Sequence, residues 1–170
     1  LGIIEHGLPV EAAGRVPRRR QRLRDLGARR SADAWRQHLA PVFPTRIVKR
    51  WPDAGAAGDR VMIALHARRS ADAIAAWSAA HPARGLAVAL TGTDLYRDIR
   101  VDADAQRSLV LAQYLVVLQS QGLDELPPEL RARTRVIEQS ARPLPPLAPR
   151  RRSFDLLLVG HLRPEKDPLT

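Results

Sequence analysis

The stretch Val61–Arg100, VMIALHARRSADAIAAWSAAHPARGLAVALTGTDLYRDIR, decides the fold. It opens on a short apolar run, Val61–Leu65, followed by a loop that carries His66, Arg68 and Arg69. Ser70 is placed to cap a helix reaching Ala80, with Ile74 and Trp77 three residues apart on one stripe. A second apolar run, Leu86–Leu90, leads into the polar loop Thr91-Gly92-Thr93-Asp94. Strand, helix, strand is the βαβ unit of a parallel sheet. Polar groups therefore gather beyond the carboxyl ends of two consecutive strands, where open parallel sheets keep their ligand crevice.

Outward from this unit the rhythm continues. Thr45–Lys49 reads as an earlier strand, Tyr114–Leu118 as a third apolar run, and Arg135–Ile137 as a brief fourth. Asp102 or Asp104 starts a helix with Leu109 inward, and Pro127-Pro128 opens one helical turn. Pro52–Gly58 is a loop, and Ser31 caps a helix to Leu39 that carries Ala34 and Trp35. Trp35 and Trp77 read as packing residues. Apolar runs recur with helical segments between them, which gives an α/β fold with a parallel sheet and flanking helices.

Residues 1–26 do not join this pattern. Leu1-Gly2-Ile3-Ile4 is too short to read as a buried strand, and Arg15–Arg24 is a basic run with almost no apolar face. The expectation is an irregular, solvated arm. Charge is skewed the same way. Of a net charge of +10, residues 1–30 supply half, with eight Arg against three acids. Aromatic residues make up only 4% of the chain and do not interleave with the basic run, which argues against a nucleic-acid platform.

Apolar residues at 45% suffice for a core, and no run approaches the roughly 18 to 20 apolar residues of a membrane span. The expectation is a protein with no membrane partner and, by default, a cytoplasmic location. Zero cysteines exclude disulfides and thiolate ligation, and His6, His38 and His81 lack metal-ligand spacing, so no metal is expected. At Ala141–Arg152 the composition shifts to a Pro- and Arg-rich linker, and a fresh strand, Phe154–Val159, begins a second domain. The domain reading is an arm at 1–26, a first domain at 27–140, a linker at 141–152, and the start of another domain at 153–170.

The segment Val159-Gly160-His161-Leu162-Arg163-Pro164-Glu165-Lys166, coming after a linker, resembles the opening of the donor domain in GT-B glycosyltransferases. That fold pairs two Rossmann-like domains across a cleft. The resemblance assigns Gly160, Arg163 and Lys166 to the diphosphate of a nucleotide-sugar, whose growing negative charge fixed cations stabilise. Ala64–Ser70, Leu90–Ile99, Gln139–Ala141 and Val159–Arg163 together resemble the selenosugar synthases of selenoneine biosynthesis, well over residues 60–170 and loosely over 27–50. That resemblance implies a Rossmann-like acceptor domain at 27–140, the amino-terminal half of a GT-B fold. Its substrates would be selenophosphate and a UDP-sugar such as UDP-N-acetylglucosamine, with no further cofactor. A selenium–carbon bond would form, with release of UDP and phosphate.

Residue by residue, the resemblance places His66 in the cleft, and His66 and Asp94 are the catalytic candidates. Arg68, Thr91, Gly92, Thr93 and Arg97 are the substrate-binding candidates. Arg29 joins them because Gly27-Ala28-Arg29-Arg30-Ser31-Ala32 resembles the family's Gly-Asn-Arg loop, with Ala28 in place of the amide. The family has an apolar strand before that loop; residues 1–26 read as a corrupted or frame-shifted start. With half the cleft absent, the 170-residue form is expected to be inactive or nearly so alone. Two other readings remain open at this stage: a GT-B enzyme with an oxygen nucleophile, and a non-catalytic basic binding module on the same sheet.

Overall fold

Within β3, Met62–Leu65, all four residues are buried, as expected of a strand covered on both faces. The pleat divides them. Met62 and Ala64 join a core with Ile74 and Trp77 of α2, Ala71–Ala80, and with Leu109 of α4, Ala103–Leu111. Ile63 and Leu65 turn to the opposite face, toward Ala32 of α1, Arg18–Leu39. The same alternation runs through β4, Leu86–Ala89, with Leu86 and Val88 on the first face and Ala89 on the second. In β5, Tyr114–Val117, Leu115 and Val117 face α2 and α4, and Val116 faces away.

The computed structural model of the chain describes residues 2–4 and 18–139 together with Pro145, with side chains at Gly2, Ile3 and from Arg29 onward. Among these residues six strands form one sheet in the order β2-β1-β3-β4-β5-β6, every neighbouring pair parallel. Here β1 is Gly2–Ile4, β2 is Arg46–Val48 and β6 is Thr134–Val136. The short helices α3, Ile99–Val101, and α5, Pro128–Arg131, complete the description. This is an α/β, Rossmann-like architecture, and its strand order reverses direction between β1 and β3, the kind of switch point where such sheets open a crevice. No helix among the described residues is long and apolar enough to cross a membrane.

Two expectations for the first 30 residues are overturned. Gly2–Ile4 is a strand inside the sheet, hydrogen-bonded in register to Arg46–Val48 on one side and Met62–Ala64 on the other. Ile3 is fully buried against Ile63, Leu65, Ala89 and Val116. A strand seated between two partners has its backbone groups satisfied on both edges, so three residues suffice where length alone argues against burial. The irregular arm is likewise not what forms from Arg18 onward: α1 begins there, not at Ser31. Arg, Gln and Leu have good helix propensity, which sustains the first turns without a stripe of alternating apolar residues. Gly27–Ala32 therefore lies inside a helix and is not a loop.

Elsewhere the differences are small. Ser70 stands at the N-cap position of α2 but does not cap it; its hydroxyl donates to the Leu65 carbonyl at 2.9 Å. Asp102 does cap α4, accepting from the Ala105 amide at 2.9 Å. The chain divides into a unit at 1–138 and another at 139–170. Of the second, only Gln139 and Pro145 fall among the described residues, so the linker, the expected strand Phe154–Val159, Gly160, Arg163 and Lys166 lie outside them.

Candidate functional site

The carboxyl ends of β3 and β4 are joined by one carboxylate. Asp94 has no exposed surface, and it accepts hydrogen bonds from the Ala67 amide at 2.9 Å and from the Arg68 and Thr91 amides at 3.4 Å. It also contacts Nδ1 of His66. The Arg69 amide lies 3.5 Å from the same nitrogen, at the limit of a hydrogen bond. His66 is 6% exposed, and its backbone has φ of 81°, in the left-handed region that costs a side chain of this size free energy. That geometry turns the ring across the loop toward Asp94.

The second ring nitrogen, Nε2, is buried and has no hydrogen-bond partner. Oδ2 of Asp98 lies 4.0 Å from it, beyond hydrogen-bonding distance. Asp98, 3% exposed, instead receives Nε of Arg68 at 2.9 Å on one oxygen and Nε of Arg97 at 2.9 Å on the other. Burial pushes its carboxyl upward, but the Arg97 hydrogen bond and the Arg68 charge outweigh burial and hold it below the usual carboxylate range. Asp102 lies 4.0 Å from the same Arg68 Nε.

The elements that carry these groups explain the placement. Arg68 follows β3 by three residues; Asp94 and Arg97 lie in a π-helical turn, Asp94–Asp98, that runs directly into α3. π-turns inside helices recur at functional sites, because the extra residue per turn re-aims side chains. Here it lets Asp94 face the β3 loop while Asp98, four residues on, faces the same cluster.

The structure thus brings together His66, Asp94, Arg68 and Arg97 of the residues proposed from sequence. Thr91 enters through its amide, and Gly92 and Thr93 form the first turn leading into the π-segment. Gly92 is exposed, and a Cβ there would meet nothing within 4 Å, so the backbone does not demand glycine. Arg29 is not part of the cluster: it is exposed on α1 and makes none of these bonds. Asp98 was not singled out from sequence, where one acid beside Arg97 reads as a surface ion pair. Its spacing of four from Asp94 was the available signal.

One ligand atom each from His66, Asp94 and Asp98 lies within 4.8 Å of the others, small enough for a cation to bridge. The carboxylate oxygens among them are already committed, those of Asp94 to three amides and the His66 ring, those of Asp98 to two guanidinium groups. The two arginines also oppose an added cation. The cluster is a compensated ion network, and its donor set does not favour a metal. A cavity of about 760 Å³ lies at the opposite, amino-terminal side of the sheet, lined by Leu39, Phe43, Arg46, Val61 and Ile63 among others. It contains none of the cluster residues.

No family model matches this chain, and no curated protein matches it.

Proposed function

We propose that the described domain is the acceptor-side half of a glycosyl-transferring enzyme of GT-B type, acting on selenophosphate with a UDP-sugar as donor. The observation that carries the reading is the Asp94–His66 pair at the carboxyl ends of two adjacent parallel strands, with Arg68 beside it. The sequence blocks at 64–70 and 90–99, which resemble selenosugar synthases, are the residues that build this corner. Selenium attacks the anomeric carbon, the carbon–oxygen bond to UDP breaks with its electron pair on the diphosphate, and water takes the phosphoryl group from selenium. Arg68 attracts the anionic nucleophile, and His66 with Asp94 orients it.

The test is turnover of a radiolabelled UDP-sugar with selenophosphate by the 170-residue chain and by a chain extended through a complete donor domain. A labelled selenosugar from the extended chain, lost in His66→Ala, supports the reading; no product from either chain overturns it.

One observation favours a second acceptor chemistry. An imidazole held at Nδ1 by a buried carboxylate, with Nε2 unpartnered, is the arrangement of a general base. A selenium anion needs little deprotonation, whereas a hydroxyl acceptor does. Running the same assay with sugar and polyol hydroxyl acceptors separates the two: transfer to hydroxyls alone assigns an oxygen nucleophile.

A further inference from the structure

We infer that the cavity at the amino ends of the strands is a binding site for one uncharged small molecule with an apolar, ring-sized body. The inference stands apart from the transferase reading, because His66, Asp94 and Asp98 are not among the residues that line this space.

The walls call for an apolar occupant. Leu39 at the end of α1 and Phe43 just beyond it form one side, and Val61 with Ile63 of β3 forms another. Ile63 is buried, but Phe43 is 54% and Val61 39% exposed. Their apolar surface lines a concavity of about 760 Å³, a volume within the range of small-molecule sites. An apolar body that displaces water from these walls is favoured in proportion to the area it covers, and the Phe43 ring suits a planar partner.

Two glycines shape the opposite wall. Gly58 ends the short 3-10 turn Ala56–Gly58, and a Cβ there would meet nothing within 4 Å. Gly55 also lines the cavity, and a Cβ on it would come 3.1 Å from the Arg46 guanidinium, so the bare backbone lets that group lie against the turn.

Charge decides against an ion. Arg46 donates Nε to Asp59 at 3.0 Å and a terminal nitrogen to Asp53 at 2.7 Å. Asp59, 4% exposed, accepts the Trp51 indole N–H as well, at 3.2 Å. Arg60 is exposed on the lining, so the lining residues Arg46, Arg60 and Asp59 balance once Asp53 is counted with them. An anion would compete with two aspartates for Arg46, and a cation would meet two arginines. A neutral molecule meets a wall whose charges already cancel.

The test is a titration of the 170-residue chain with phenylnaphthylamine, an uncharged ring compound that fluoresces when it leaves water. Binding should saturate at one probe per chain. Val61→Asp, which sets an unpaired charge on the apolar wall, should weaken it about 10-fold or more. Gly58→Leu, which adds bulk to the lining where a Cβ meets open space, should weaken it comparably and keeps the experiment decisive if Val61→Asp fails to fold. Val110→Asp makes the same chemical change at a residue 72% exposed on α4, away from the cavity, and should leave affinity within about 2-fold. Naphthol should displace the probe, and naphthoate, the same rings with a charge, should not. No saturable binding, an equal loss in Val110→Asp, full binding in both cavity variants, or equal displacement by naphthoate overturns the inference. So does a dimer in sedimentation that Gly58→Leu dissociates, since the cavity would then be an interface between two copies of the chain.

Discussion

Asp94 is fully buried, and every oxygen contact it makes is with a donor: three amides and the His66 ring. Asp94→Asn puts an amide N–H₂ where two of those donors point and removes the charge that they share. The variant should lose about 3 kcal/mol of stability, read from urea unfolding, since breaking a buried charged network costs that order. Gly92→Ala two residues away should stay within about 0.5 kcal/mol, because its new methyl group meets open space. Position directly after apolar strands marked His66, Arg68 and Asp94 in the sequence as polar groups gathered at strand ends, while their roles came from the resemblance. It did not make Asp98 legible. That residue matters through Arg68, 30 positions away, and the π-turn that aims it leaves no residue signature. Arg29 erred in the opposite sense: a loop-like motif proved to be the middle of a helix.

At the level of elements, the sheet depends on features of very different visibility. β3, β4 and β5 are continuous apolar runs, and the strands that form differ from those expected by one residue at an end. β1 carries the same kind of residues in a three-residue strand, and only its place between β2 and β3 makes it a strand. Ile3→Ala tests that placement. With Ile3 fully buried in the second-face core, the substitution should cost about 3 kcal/mol by chemical denaturation; a change under about 0.5 kcal/mol would mean that the strand is not seated there. The turn into β4 is set by Gly85, whose φ is +67° and whose carbonyl accepts from the Met62 amide at 2.7 Å. A Cβ at that position would lie 2.5 Å from the Arg60 carbonyl oxygen, a backbone atom that has no rotamer to move. Gly85→Ala should therefore lose about 3 kcal/mol, combining left-handed backbone strain with a clash, and shift the unfolding midpoint with little change in denaturant slope.

Across the whole molecule, ion networks close the sheet at both ends. At the amino ends Arg46 meets Asp59 through Nε at 3.0 Å and Asp53 at 2.7 Å, while the Trp51 indole donates to Asp59 at 3.2 Å. At the carboxyl ends Asp98 holds Arg68 and Arg97. The Arg46 hydrogen bond holds the Asp53 carboxyl below its usual range, and the two arginines do the same for Asp98 against the pull of burial. A carboxyl whose folded pKa is depressed adds stability above its unfolded pKa, near 3.9, and loses it as pH falls through the folded value. Unfolding free energy should therefore be nearly flat in this respect from neutral pH to about pH 5 and fall below about pH 4. Asp98→Asn should shallow that acid limb and Asp53→Asn should shallow it less, since Asp53 is exposed and its pair with Arg46 is screened. A four-residue strand separates the two ends by about 13 Å, beyond the roughly 10 Å within which substitutions couple. In the double variant the two changes in acid slope should add. An acid limb unchanged by Asp98→Asn would show that the arginines do not hold that carboxyl ionised.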